Sequence, residues 1–147
     1  MKIAYVDSSV VVSYYLPDET GHAGAVALLD DANVAIVTAT LTRIEVSGAL
    51  VRAARTGRIV AIESVLDRVD DDFDNGLITM VAPDPANVHT AALDIVRTHG
   101  LRALDAIHVA TAQLALPELI GPHDESAFVS RDAAQADAAA SLGLNVG

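Results

Sequence analysis

Four acidic side chains in this 147-residue chain sit where apolar runs end or are interrupted. Asp105 lies early in LRALDAIHVATA (101–112), which reads as a helix with Leu104, Ile107 and Leu114 on one flank and small alanines on the rest. A carboxylate in such a run is costly to desolvate unless something positive meets it. His108, at i+3, shares the side of the helix that carries Asp105. Asp7 ends the apolar stretch KIAYVD, Glu45 interrupts TRIEVSGAL, and Asp132 follows AFVS by two residues. Gathered together, four bare carboxylates would repel one another. Hard divalent cations make such a cluster tolerable, because oxygen ligands suit Mg²⁺ and Mn²⁺. Paired ions about 4 Å apart activate water and stabilise the leaving oxygen in phosphodiester hydrolysis. Taken singly, Asp7 and Asp132 serve equally well as helix N-caps. Glu45 and Asp105 interrupt helix interiors, and capping does not explain them. His108 reads as a packed, hydrogen-bonded histidine, because this chemistry needs no imidazole base.

The elements that must position these acids alternate in type. Strands are expected at 2–7, 34–38, 77–82 and 127–130, with a last short one at LNV (144–146). Between them the pattern predicts helices from Ser8 or Ser9 to Pro17, at 22–31, from Thr38 or Thr40 to Gly57, at 59–73, at 86–99, through Asp105, and at 132–142. PELIGPHDE (117–125), with two prolines, reads as a loop. Alternating strands and helices predict an α/β sandwich around a mainly parallel sheet of four to five strands. Ligands in such sheets bind beyond the carboxyl ends of the strands, where all four acids would fall.

Length suits a single domain spanning 1–147. No apolar run approaches the roughly 20 residues of a membrane helix, Asp7 breaks any signal-peptide pattern, and the absence of cysteine excludes thiolate and Cys-based zinc chemistry. The expectation is a cytoplasmic protein without membrane contact. Net charge is −11, and it is uneven: residues 1–60 carry five Lys/Arg against six Asp/Glu, residues 61–147 four against fourteen. A plain nucleic-acid binder would be basic. An acid-rich protein handles nucleic acid when metal ions bridge carboxylate to phosphate.

YVDSSV (5–10), TRIEVSGAL (42–50), LDAIHVATA (104–112), and FVSRD (128–132) followed by AASLGL (139–144) resemble the PIN domain. More narrowly they resemble the VapC toxins of toxin–antitoxin pairs, with the motifs in family order along the whole chain. The resemblance implies a PIN-like fold and a Mg²⁺-dependent, or Mn²⁺-dependent, endoribonuclease whose metal-site acids are Asp7, Glu45, Asp105 and Asp132. It implies that Asp7 and Asp105 hold the principal ion, that Glu45 and Asp132 complete the cluster directly or through water, and that cleavage leaves 5′-phosphate and 3′-hydroxyl ends. Ser130 stands where the family often has threonine; it keeps the hydroxyl and, with Ser9, is expected to orient water or substrate. The fourth acid varies in the family. Its rivals here are Asp124, which precedes its strand and so belongs at the far end, and Asp137, in mid-helix. The resemblance also implies a cognate VapB-type antitoxin that wraps the toxin and reaches the acidic site, together with homodimerisation.

One basic patch accompanies the acids. Arg52 is at i+7 from Glu45, roughly 10 Å along the helix axis, and with Arg55, Arg43 and Arg58 it could steer RNA phosphate or pair with acids such as Asp70 to Asp74. A 3% aromatic content argues against recognition by extensive base stacking. Tyr14 and Tyr15 read as core or dimer contacts. Two other hydrolase or phosphotransfer classes fit poorly. A haloacid-dehalogenase-type phosphatase needs an acid where Ser9 stands, and a receiver domain needs a late lysine, whereas Lys2 is the sole lysine. The remaining alternative is a non-catalytic PIN-like module that binds RNA or protein.

Overall fold

The computed structural model describes residues 1–147. In chain order it contains β1 (Lys2–Val6), α1 (Ser8–Tyr15), α2 (His22–Leu29), β2 (Val34–Ala39), α3 (Leu41–Arg55), α4 (Ile62–Asp74), β3 (Ile78–Val81), α5 (Pro85–His99), α6 (Ala103–Leu119), β4 (Glu125–Val129) and α7 (Ala133–Ser141). The sheet has four strands in the order β3-β2-β1-β4, and every pairing is parallel. The chain adds β2 and β3 on one side of β1 and then returns to place β4 on the other. The reversal of strand order falls between β1 and β4, where open α/β sheets form their ligand crevice.

Period-two alternation along β1 builds two cores. Ala4 and Val6 face a cluster with residues of α1, α2, α3 and α4, including Val11, Leu29, Leu50 and Phe73. Ile3 and Tyr5 face a second cluster with residues of α5, α6 and α7, including Ile95, Val109, Leu116 and Ala139. Tyr5 and Phe128 stack there with ring centroids 5.6 Å apart. Each fully buried large side chain of this kind contributes roughly 1.5–3 kcal/mol, so both helical layers are held to the sheet. No helix is long and apolar enough to cross a membrane.

Four local expectations change. LNV forms only an isolated bridge, Phe128 with Val146, so the sheet stays at four strands. Pro117 does not end its helix: it lies in the last turn of α6, where a missing N–H forfeits a single bond, and the helix runs to Leu119. Neither Thr38 nor Thr40 caps α3 through its side chain. Thr38 instead donates to Val6 O at 2.6 Å and shares a 2.7 Å hydroxyl contact with Thr42, which ties the start of α3 to the end of β1. α4 begins at Ile62, three residues later than the apolar spacing implied.

Candidate active site

Three of the acids come from βα junctions at the carboxyl edge of the sheet, after β1, β2 and β4, whereas Asp105 comes from the junction of α5 with α6. Asp7 directly follows β1 and is 1% exposed. Its Oδ1 accepts from Ser9 Oγ at 2.6 Å and from Val10 N at 3.2 Å, and its Oδ2 accepts from Ser130 Oγ at 2.6 Å. It therefore caps α1 while facing β4. Asp132 caps α7, its Oδ1 accepting from Ala134 N and Gln135 N. Ser130 stands between these two acids, since its Oγ also accepts from Asp132 N at 2.9 Å. Asp105, in the first turn of α6, accepts from Gln135 Nε2 at 2.7 Å and from Arg102 Nε at 3.4 Å. Glu45, in the second turn of α3, meets His108 Nε2 at 2.8 Å.

His108 is buried and hydrogen-bonded, as its place in the helix suggested. Tyr5 Oη lies 2.8 Å from its Nδ1. Burial holds the Tyr5 phenol well above its usual range, with the nearby Asp7 charge acting in the same sense, so the hydroxyl keeps its proton. In the tautomer whose Nδ1 accepts from that hydroxyl, Nε2–H donates to Glu45. The strand carrying Asp7, the helix carrying Asp105 and the helix carrying Glu45 are thus joined through one side chain.

The acids share an edge without closing on a single point. No three of the Asp, Glu and His side chains stand close enough to enclose one ion. Each is turned by its own donors: Asp7 by two serines, Asp105 by Gln135, Glu45 by His108, and Asp132 by the α7 backbone. Glu45 Oε2 and Asp132 Oδ2 accept no hydrogen bond from the protein. Gln135 Oε1 is the one buried side-chain polar atom without a partner. This all-oxygen donor set fits a hydrated hard cation held by one or two carboxylates plus water and substrate phosphate, the usual Mg²⁺ arrangement, and does not fit an all-protein cage.

Two residues beside the acids escaped the sequence reading. Asp132-x-x-Gln135 has capping-box spacing, and nothing in it points to Asp105. In the fold Ser130 satisfies Asp132 N, which frees the Gln135 amide to reach across to α6. Arg131 donates from Nη1 to Ser13 Oγ at 2.8 Å and to Glu19 Oε2 at 3.2 Å. The basic patch divides. Arg43 pairs with Asp70 and Asp74, and Arg58 with Asp18 and Glu19. Arg58, followed by Arg131, holds the Glu19 carboxyl below its usual range. Arg52 and Arg55 are exposed and make no ion pair. Tyr14 and Tyr15 are core residues whose hydroxyls donate to Asp30 and Asp72. Asp124 lies at the opposite end, paired with the N-terminal amine, as strand direction required.

The PIN domain profile matches residues 4–141. Ribonuclease VapC45 of Mycobacterium tuberculosis (strain CDC 1551 / Oshkosh) is 35% identical over 112 residues, 76% of each chain. Ribonuclease VapC49 of M. tuberculosis (strain ATCC 25618 / H37Rv) matches with the same identity and coverage. In three dimensions the chain is similar to one in the crystal structure of FitAcB from Neisseria gonorrhoeae, with a TM-score of 0.59, 16% identity, and coverage of 97% of this chain and 95% of that one. That likeness concerns the fold. A family match spanning the segment from β1 to α7, and curated relatives above 30% identity over three quarters of the chain, establish that this protein belongs to the PIN-domain family, among its VapC ribonucleases.

Proposed function

We propose that the chain is one PIN domain acting as a Mg²⁺-dependent or Mn²⁺-dependent endoribonuclease toxin, with Asp7, Glu45, Asp105 and Asp132 as its metal-site acids. The observation that carries the reading is the connection of these acids, from three βα junctions and the α5–α6 junction, through Ser130, Gln135 and His108 at the crevice between β1 and β4. A divalent cation bound there supplies Lewis-acid activation of water and neutralises charge at phosphorus. The chain's own residues do the rest. Ser9 and Ser130 hold both oxygens of Asp7, Gln135 aims Asp105, and His108 aims Glu45. With their protons given to Asp7, Ser130 and Ser9 each keep one lone pair to accept from an attacking water. RNA is the substrate class, and Arg52 with Arg55 supplies positive potential on the approach.

The test is cleavage of total cellular RNA by purified protein in Mg²⁺, in Mn²⁺ and in EDTA, beside Asp7→Asn and Asp105→Asn. Discrete fragments that require metal and vanish in both variants are expected. Folded, partner-free protein that cuts nothing under any metal would transfer the reading to a module that binds RNA or protein without cleaving it, which the separation of the acids favours.

The partner that follows is a VapB-type antitoxin. Ile44 and Leu104, 77% and 50% exposed, flank Glu45 and Asp105, and support a protein segment lying across the acids in a cytoplasmic toxin–antitoxin complex. Homodimerisation is carried forward with it. Sedimentation of the isolated chain and of the co-expressed pair distinguishes the two assemblies.

A further inference from the structure

Arg131 and Arg52 line a cavity that the four acids do not explain. It has a volume of about 600 Å³ and is lined also by Ser8, Ser9, Ser13, Glu19 and Glu45. Arg131 reaches it from the turn between β4 and α7, where its backbone N–H donates to Ser9 Oγ at 3.2 Å. Its Nη1 engages Ser13 and Glu19, while Nε and Nη2 make no hydrogen bond within the protein. The side chain rests against bare backbone: a Cβ at Gly21 would stand 2.7 Å from Arg131 Cζ and 2.8 Å from Cδ. Arg52, on α3, lies back over a second glycine, and a Cβ at Gly48 would stand 3.2 Å from its Nη1. Two arginines from opposite walls therefore lie over two positions without side chains. Arg43 and Arg58 are neutralised by carboxylates, whereas Arg52 is not.

Exposed guanidinium forks with unused donors match the non-bridging oxygens of a phosphate. In a chain of net charge −11, they make this cavity a place where an anion meets more than repulsion. Contiguity with Glu45 sets which anion that is. A free anion gains little so near an acid cluster, but a phosphate that belongs to a strand already engaged at the acids is delivered there. We propose that the cavity is a subsite for an RNA backbone phosphate next to the one that is cut, gripped by Arg52 and Arg131. This rests on the endoribonuclease reading and deepens it: the strand is held at two points, and the second carries no base information, because phosphate contacts position a nucleic acid without reading its sequence.

The test is binding of a fluorescein-labelled 12-nucleotide single-stranded RNA to the full chain in Mg²⁺ on ice, with the RNA checked by gel to be intact, followed by anisotropy over graded salt. Arg52→Gln and Arg131→Gln are each expected to raise Kd about tenfold, the usual scale for a charge-assisted hydrogen bond. Each should reduce the slope of log Kd against log salt by about 0.7, the single-strand value for one phosphate contact. Arg97→Gln, on the far face of α5, should change neither. Arg131 also braces Ser13 and Glu19, so its variant is paired with a thermal melt and with Arg131→Lys, which should keep the salt slope. Arg52 braces nothing and carries the test independently. Arg52→Gln binding like wild type, wild type binding no RNA, or variants that weaken only an acidic protein partner would each overturn the subsite. Metal-dependent cleavage is read alongside. Cleavage with an unchanged KM in Arg52→Gln removes the subsite alone. Arginine-dependent binding without any cleavage removes the endonuclease reading and leaves an RNA phosphate site.

Discussion

Ser130 shows how much one hydroxyl organises. It donates to Asp7 and accepts from the Asp132 backbone, so it fixes the distance between the acid after β1 and the acid after β4. Outer hydrogen bonds of this kind typically carry 10–100-fold in metal affinity or activity. Ser130→Ala is expected to lower kcat/KM for RNA by about that range, with a lower melting temperature because the buried Asp7 carboxylate loses a donor. Ser130→Thr keeps the hydroxyl and should retain most activity. Equal loss in both variants, measured on a defined RNA fragment, would mean that shape rather than the hydrogen bond matters there. Gln135 belongs beside Ser130: its amide is oriented by Asp105, and its other polar atom is buried without a partner, an arrangement that stability alone does not favour.

At the scale of elements, His108 is where α6, α3 and β1 are joined. The alanines of α6 allow close approach to the sheet, and Ala106, Ala110 and Ala112 are all fully buried. Within that tight layer His108 bonds Tyr5 through Nδ1 and Glu45 through Nε2. His108→Leu conserves bulk but leaves the Tyr5 hydroxyl buried without this partner and Glu45 without its donor. Urea unfolding should show a loss of about 1–3 kcal/mol, the cost of stranding a buried polar group, and cleavage should fall in parallel. Full activity in a destabilised variant would reduce His108 to a packing residue. The α3 helix depends equally on Thr38 and Thr42, whose hydroxyls bring its first turn against the last residue of β1. This contact explains why Glu45 arrives at the edge that holds Asp7.

At the scale of the molecule, the charge balance makes a prediction of its own. An acidic protein that gathers carboxylates at one sheet edge stores repulsion that a divalent cation relieves. Mg²⁺ or Mn²⁺ at about a hundredfold excess over its Kd should stabilise the fold by about 2.7 kcal/mol through linkage, raising Tm by roughly 5–10 °C for a chain of this length. EDTA should reverse the shift, and Asp7→Asn should abolish it. A metal-independent Tm in wild type would count against a cation site at these acids, whatever the RNA assay reports.

Much of this protein is legible without its coordinates. The alternation of apolar runs with helical spacing predicts an α/β sandwich around a mainly parallel sheet, because neither element can bury its apolar face alone. The place of Asp7, Glu45 and Asp132 shortly after strands puts them at one edge, since strand direction decides which end of a sheet each loop occupies; Asp105, whose helix follows α5, is brought there by packing. The capping roles of Asp7 and Asp132 and the buried character of His108 follow from local chemistry in the same way. What tertiary structure decided is partnership across long separations in the chain. Ser130 to Asp7, Arg131 to Ser13, Gln135 to Asp105 and His108 to Glu45 join residues 123, 118, 30 and 63 positions apart. No local pattern encodes them, because each side chain's partner depends on how two helices come to rest on a sheet. The division of the arginines has the same origin: Arg43, Arg58 and Arg131 meet acids brought to them by packing, while Arg52 lines the cavity without an ion pair.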